Sequence, residues 1–330
     1  MSWHEHRFVS DVLLDNPLGD PNERPLWVWA PEDNERRYPS VYVLHSFGNS
    51  AASWFAPEPG TDSYPALIEE LAPEAIVVLV DASTTLGGSQ YVDSPGIGSY
   101  HRYLCDELVP FVDTTYPTIP EAAHRGVQGK SSGGFGAIVT TLLRPDLFGA
   151  LATHAGDTLF EVSHRPGFAP AARVLRDRYG GSVGAFRAAV ASWSAGPLDE
   201  GDRLLFELYA LCAAYSSNDD GTIDLPFELE TAELRPDVWA RWLAWDPVLL
   251  AREPQHAATL RGLRGVWIDA GCADEYHLDF GATAFHRAVV DSGARAGAVH
   301  FELFPGGHRG FTPRYPLSLA WLVERLSSTL

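Results

Sequence analysis

The chain has 330 residues, of which 45% are hydrophobic, 12% aromatic and 20% charged, the composition of an ordinary globular protein with ample apolar surface to bury. Its formal charge of −19 at pH 7 argues against a nucleic-acid partner, because such binding relies on clustered Lys and Arg. Three widely spaced cysteines (Cys105, Cys212, Cys272) give no metal spacing or disulfide framework, and "MSWHEHRFVSDVLLDNP" lacks signal-peptide character, so a cytoplasmic protein without membrane partner, metal or cofactor is expected.

Short β-branched and aromatic runs alternate with stretches of helical period, which predicts an α/β sheet. The first two candidate strands, "HRFVSDVLL" and "PLWVWAP", have no helix between them and are expected to be antiparallel. "SVYVLHS", "AIVVLVDAS", "RGVQG" and "GALATHA" follow, with helical stretches such as "SYHRYLCDELVPFVDTTY" and "FGAIVTTLLR" between them. These later strands are apolar almost throughout, as strands buried on both faces are. "GVWIDAG" and "HFELFPG" complete a set of eight.

The rhythm breaks once, where about 110 residues separate "GALATHA" from "GVWIDAG", far more than a crossover needs. The expected organisation is therefore a core over 1–157, a helical cap insertion over 158–258 and the rest of the core over 259–330. The insertion carries Trp193, Tyr209, Tyr215 and Phe227, then Trp239, Trp242 and Trp245 on one helical face in "DVWARWLAWDP". Those tryptophans are expected mainly as cap core, with Trp242 also a candidate pocket wall.

The stretch "HRGVQGKSSGGFGA" (124–137) fits two motifs. A P-loop, G-x-x-x-x-G-K-[ST], requires its first glycine at position 124, which is His124; a bulky residue there removes part of the phosphate cradle. The alternative is G-x-S-x-G, Gly129-Lys130-Ser131-Ser132-Gly133, the nucleophile elbow of a serine hydrolase. Its context agrees, since a strand precedes the serine and a helix follows it directly. The elbow needs small flanking residues, and choosing Ser132 would put Lys130 at a small-residue position. Ser131 is thus the expected nucleophile and Ser132 N–H an oxyanion donor. Lys130, the sole lysine, is expected to project outward and receives no role.

A serine hydroxyl needs a general base held by an acid, and in this fold class they follow the nucleophile in the order acid, histidine. His308 in "HFELFPGGHRGF" is the expected base, with Gly306 and Gly307 letting its loop turn inward; His300 lies within the strand. "GVWIDAGCADEYHL" offers Asp269, Asp274 and Glu275, of which Asp274 is preferred because Asp269 falls at the strand end and Glu275 is one residue off. The second oxyanion donor is expected from "VLHSFGNS", with Phe47 N–H the candidate, Ser46 its rival and His45 structural. Gln90 or Tyr91 in "LGGSQYVDS" and Asp157 after "GALATHAG" are candidate substrate contacts, with loop packing or helix capping as their plainer roles.

With these residues placed, "VLHSFG", "GKSSGGFGA", "DAGCADEYHLDFG" and "FPGGHRGF" resemble the esterase family of α/β-hydrolases that takes in esterase D, feruloyl esterases, enterochelin esterases and mycolyltransferases. The resemblance covers about 25–157 and 260–330 and implies a mostly parallel eight-stranded sheet flanked by helices. Its G-x-x-D and G-G-H patterns carry the acid onto Asp274 and the base onto His308. The family often has Met after the nucleophile, where this chain has Ser132. The activity implied is cofactor-independent hydrolysis of a small-molecule ester through an acyl-enzyme. Two alternatives are acyl transfer to an alcohol or sugar, as in the mycolyltransferases, and a hydrolase-fold binding protein without catalysis. The residues carry no signal for oligomeric state.

Overall fold

The computed structural model describes residues 1–32, 36–57, 60–192 and 198–328; Trp193 lies outside the described residues. Eight strands form one sheet: β1 (Ser2–Val9), β2 (Glu23–Ala30), β3 (Ser40–Leu44), β4 (Ile76–Val80), β5 (Arg125–Lys130), β6 (Ala150–His154), β7 (Gly265–Gly271) and β8 (Val299–Phe304). Their spatial order is β1-β2-β4-β3-β5-β6-β7-β8. β1 and β2 are antiparallel to each other, β2 is antiparallel to β4, and every later pairing is parallel. This is the mostly parallel sheet of the α/β-hydrolase fold. β3, β4 and β7 are buried along their whole length, which is why they read as unbroken apolar runs.

The first strand departs from expectation. It ends at Val9, because Ser10 N–H turns to Asn22 O and the Asn16 side chain then brackets the loop, donating to Leu13 O and Asp20 O and accepting from Leu18 and Asp20 N–H. The residues expected to prolong the strand form this turn instead.

The helix that follows β5, α1 (Ser132–Leu143), is buried on nearly every side between the sheet and later helices. Between β6 and β7 the described chain is mainly helical, including α2 (Phe168–Tyr179), α3 (Glu200–Tyr215) and α4 (Pro236–Leu243). Asp199 starts α3 by accepting from Gly201 and Asp202 N–H. Asp246 joins two ends of this region, accepting from Val248 N–H at one helix start and from Leu159 and Phe160 N–H just after β6. No described helix is long and apolar enough to cross a membrane.

The tryptophan face of α4 packs inward. Trp242 is fully buried, donates from Nε1 to Ser216 Oγ at 3.0 Å, and meets the rings of Phe168, Tyr215 and Trp239 at centroid distances of 5.7, 5.3 and 5.8 Å. Trp242 is therefore not a pocket wall: its indole is spent on packing among α2, α3 and α4. C-terminal α5 (Arg314–Ser327) returns across the sheet beside β3, β5 and β6. Replacing Trp242 by Ala should cost about 3–5 kcal/mol in urea-induced unfolding; a loss under about 1 kcal/mol would mean the indole packs loosely.

Candidate active site

The link from β5 to α1 is a sharp turn on one residue. Ser131 adopts φ 55°, ψ −123°, a conformation costly for a residue with a Cβ. It is clamped there by three backbone bonds: its N–H to His154 O at 3.0 Å, and its carbonyl to Phe135 N–H at 2.8 Å and Asp157 N–H at 3.3 Å. The turn closes only over glycines, since a Cβ on Gly129 would collide with Gly133, and one on Gly133 with the Leu44 carbonyl.

The structure brings Ser131 and His308 onto the wall of one cleft of about 750 Å³, with Phe47, Gln90, Asp157, Glu207 and Tyr276. The His308 side chain is 13% exposed and its Nδ1 lies 2.8 Å from Oδ2 of Asp274, whose side chain is fully buried. The other Asp274 oxygen accepts from Tyr276 N–H at 2.9 Å and, more weakly, Leu278 N–H at 3.5 Å, so the acid is held on both sides. The rival carboxylates are engaged elsewhere. Glu275 accepts the His308 backbone N–H at 2.7 Å, a bond that anchors the loop and holds its own carboxyl below the ordinary range.

Asp269 is engaged in a wholly internal array with His154 and Ser318. His154 Nδ1 is 2.6 Å from Asp269 Oδ1, and His154 Nε2 is 2.9 Å from Ser318 Oγ on α5. Trp267 Nε1 and Arg314 Nε also donate to Asp269, at 2.9 and 2.7 Å. Burial works to raise this carboxyl, but the His154 charge and these hydrogen bonds outweigh it and hold Asp269 below the ordinary range. Ser318 and His154 are fully buried, so the array ties β6, β7 and α5 together and meets no substrate.

Among the described residues neither Phe47 N–H nor Ser132 N–H donates a hydrogen bond, leaving both for a ligand oxygen. Ser46 Oγ donates to Lys130 O, which pins the loop after β3 to the turn. His45 is structural in its contacts: it is 2% exposed, one ring nitrogen pairs with Ser46 O and the other with Ala82 N–H, and burial lowers its pKa. Tyr91 lies off the cleft, which corrects its expected substrate contact. It is 2% exposed, its hydroxyl donates to His45 O at 2.8 Å, and its ring fills the space beside Gly136, where a Cβ would sit 2.5 Å from it. Gln90 does reach the cleft. Lys130 lies between this cleft and a smaller cavity of about 360 Å³, with Nζ 5.4 Å from the Phe311 ring centre.

Asp157 stands beside the turn rather than capping a helix. It is 9% exposed, and its Oδ1 lies 3.5 Å from Ser131 Oγ, at the limit of a hydrogen bond. Burial, reinforced by Glu207 and Asp274, pushes its carboxyl up to about 7. Glu207 of α3, raised above the ordinary range by burial, was not expected at the site; its only sequence signal is a carboxylate interrupting the apolar face of "LLFELYAL". Among the described residues no group of three or more His, Cys, Asp or Glu is placed to hold a metal ion.

A family model described as "Putative esterase" matches residues 21–312. The "Endo-1,4-beta-xylanase/feruloyl esterase" of Xylanibacter ruminicola is 26% identical over 129 residues, which are 38% of this chain and only 17% of that protein. Among solved structures, a ferulic acid esterase superposes with TM-score 0.60 at 18% identity, covering 99% of this chain and 98% of its own. An S-formylglutathione hydrolase from Agrobacterium tumefaciens gives 0.57 at 16% identity, covering 98% and 95%. Mycobacterium tuberculosis MPT51 gives 0.58 at 15% identity, covering 98% and 99%. At these identities the structural matches show the fold.

The Asp157 carboxyl makes a signed prediction. An unfolded chain ionises it near 3.8 and the folded chain only at about 7, so the folded state binds more protons in between. The stability tied to this group is complete below pH 3.8 and lost as pH rises through 7. Asp157→Asn should stabilise the fold at pH 8, by at most about 4 kcal/mol and seen as a higher melting temperature, and change it little at pH 4. Equal shifts at the two pH values would show that Asp157 is not a buried, neutralised acid.

Proposed function

Because the chain belongs to this esterase family, we propose that it is a serine esterase that cleaves carboxylic esters of small molecules through Ser131, His308, Asp274 and a covalent acyl-enzyme. One observation carries the reading: a serine on a strained strand-to-helix turn shares a cleft with a histidine whose Nδ1 is 2.8 Å from a buried aspartate. The names of related proteins, ferulic acid esterase and S-formylglutathione hydrolase, support a small-molecule ester as substrate.

Asp274 fixes the proton on Nδ1 of His308, which leaves Nε2 as the base. As Ser131 Oγ attacks the acyl carbon, its proton passes to Nε2 and the carbonyl electron pair moves onto oxygen. Phe47 and Ser132 N–H groups stabilise that oxyanion; losing one such donor typically costs about 10²–10³ in rate. Collapse breaks the bond to the alcohol, whose oxygen takes the proton back from His308. Water then repeats the sequence on the acyl-enzyme, with His308 again as base. Asp274, His308 and Ser131 come from the ends of β7, β8 and β5, where an open α/β sheet gathers its ligands.

The test is hydrolysis of a p-nitrophenyl ester series, with the mass of a fluorophosphonate adduct read in parallel. Ser131→Ala should lose about 10⁴-fold or more in rate and the adduct with it. Ser132→Ala should keep the adduct, and Ser318→Ala, which alters only the internal array, should keep both. An adduct on Ser131→Ala, or a wild type neither active nor labelled, would sink the assignment.

A further inference from the structure

Resting on Ser131 as the nucleophile, the cleft also says something about the acyl group. Asp157 is within 3.5 Å of Ser131 Oγ, and its side chain makes no other hydrogen bond among the described residues. In the proposed reaction Oγ carries the acyl group from attack until release, while the alcohol leaves after the first step. A side chain at that distance from Oγ therefore meets the acyl carbons next to the carbonyl throughout, because the reacting carbon itself approaches Oγ to about 3–3.5 Å before bonding.

A second observation is independent of the acids. Gln90 lines the same cleft, is 3% exposed, and its Oε1 is buried without a hydrogen-bond partner among the described residues. Its backbone and that of Tyr91 both lie in the left-handed region, at φ 53° and 55°, although neither is glycine. A buried amide oxygen without a hydrogen-bond partner, on backbone in the left-handed region, is a place where a bound donor would be favoured.

What could pair with these groups follows from their chemistry. Each presents an acceptor oxygen, Oδ1 of Asp157 and Oε1 of Gln90, so a ligand group that donates fits both. The charges on this wall are mixed, with Glu207, Asp274 and Lys130 all acting on Asp157 and Arg203 acting on Glu207, so charge alone does not call for an ammonium. A hydroxyl donates without adding charge, and it can equally accept when Asp157 is protonated.

We propose that Asp157 and Gln90 select esters whose acyl group carries a free hydroxyl on the carbon next to the ester carbonyl. The assignment makes Asp157 a specificity-determining residue that touches the substrate, and it gives the orphaned carboxamide a partner.

The experiment compares p-nitrophenyl 2-hydroxypropanoate with p-nitrophenyl 2-methoxypropanoate, which keeps the oxygen and loses the donor. Each kcat/KM is divided by that ester's own rate with hydroxide, and p-nitrophenyl acetate serves as the reference ester. Wild type should favour the hydroxy ester by at least about 10-fold, and Asp157→Ala should bring the ratio close to one. Asp157→Asn, whose amide oxygen still accepts, should keep much of the preference. Gln90→Leu should lower the ratio in the same direction. A wild-type ratio below about 3-fold, or a ratio unchanged in Asp157→Ala, would overturn the proposal while acetate turnover leaves the esterase reading standing. Failure to hydrolyse acetate and both test esters would remove the esterase reading itself, and this inference with it.

Discussion

The site hangs on one backbone distortion, Ser131 at φ 55°, ψ −123°. Such a conformation costs about 1–3 kcal/mol and persists only where the surroundings over-determine it. Here three hydrogen bonds do so, drawn from the start of α1 and from the residues in and just after β6. One of them has a second effect. The bond from Asp157 N–H to the Ser131 carbonyl brings Asp157 against the turn, and its carboxyl comes to rest beside Oγ. The clamp that holds the proposed nucleophile thus also chooses its most intimate neighbour.

Two His-Asp pairs lie at the ends of neighbouring strands, and residue type alone does not tell them apart. In the inner one, Ser318, His154 and Asp269 are buried, and Asp269 also takes bonds from Trp267 and Arg314. Every polar group there is satisfied, which is the condition for a buried network to hold elements together. In the outer pair, Asp274 is equally enclosed, but the His308 ring reaches the cleft wall. The proposed reactivity therefore follows from which histidine has a face toward a cavity. It also follows from which serine sits on strained backbone; Ser318 lies within an ordinary helix.

This difference explains what could be read from the sequence and what could not. The eight strands, the elbow and its glycines were legible because each is a local pattern: apolar runs, a strand-serine-helix junction, small residues at a turn. The preference for Asp274 over Asp269 and Glu275 rested on loop position; in the structure Asp274 contacts the His308 ring, Asp269 contacts His154 and Glu275 the His308 backbone. Tyr91 and Trp242 were misplaced because an aromatic residue in a loop or cap looks the same whether it faces a ligand or a neighbouring ring. Only the Gly136 contact and the Ser216 bond decide between those. The end of β1 was misread for a similar reason, since the Asn16 bracket that stops it joins residues whose pairing no periodicity announces. Glu207 was invisible until α3 was laid over the sheet.

The charge balance around Oγ follows from the same geometry. In the proposed reaction, attack would create an oxyanion and an imidazolium together, and fixed charges beside them would act on both. Asp274, 2.8 Å from His308 Nδ1, would favour the imidazolium. A second full negative charge beside Oγ would favour the imidazolium too, but would oppose the oxyanion forming on the atom bonded to the same carbon. With its carboxyl pushed up to about 7 by burial and by Glu207 and Asp274, Asp157 carries only part of that charge near neutrality. Burial thus makes an acid tolerable beside the proposed nucleophile. A hydroxyl donating to it would favour the ionised form and, by the same hydrogen bond, spread its charge away from the reacting carbon.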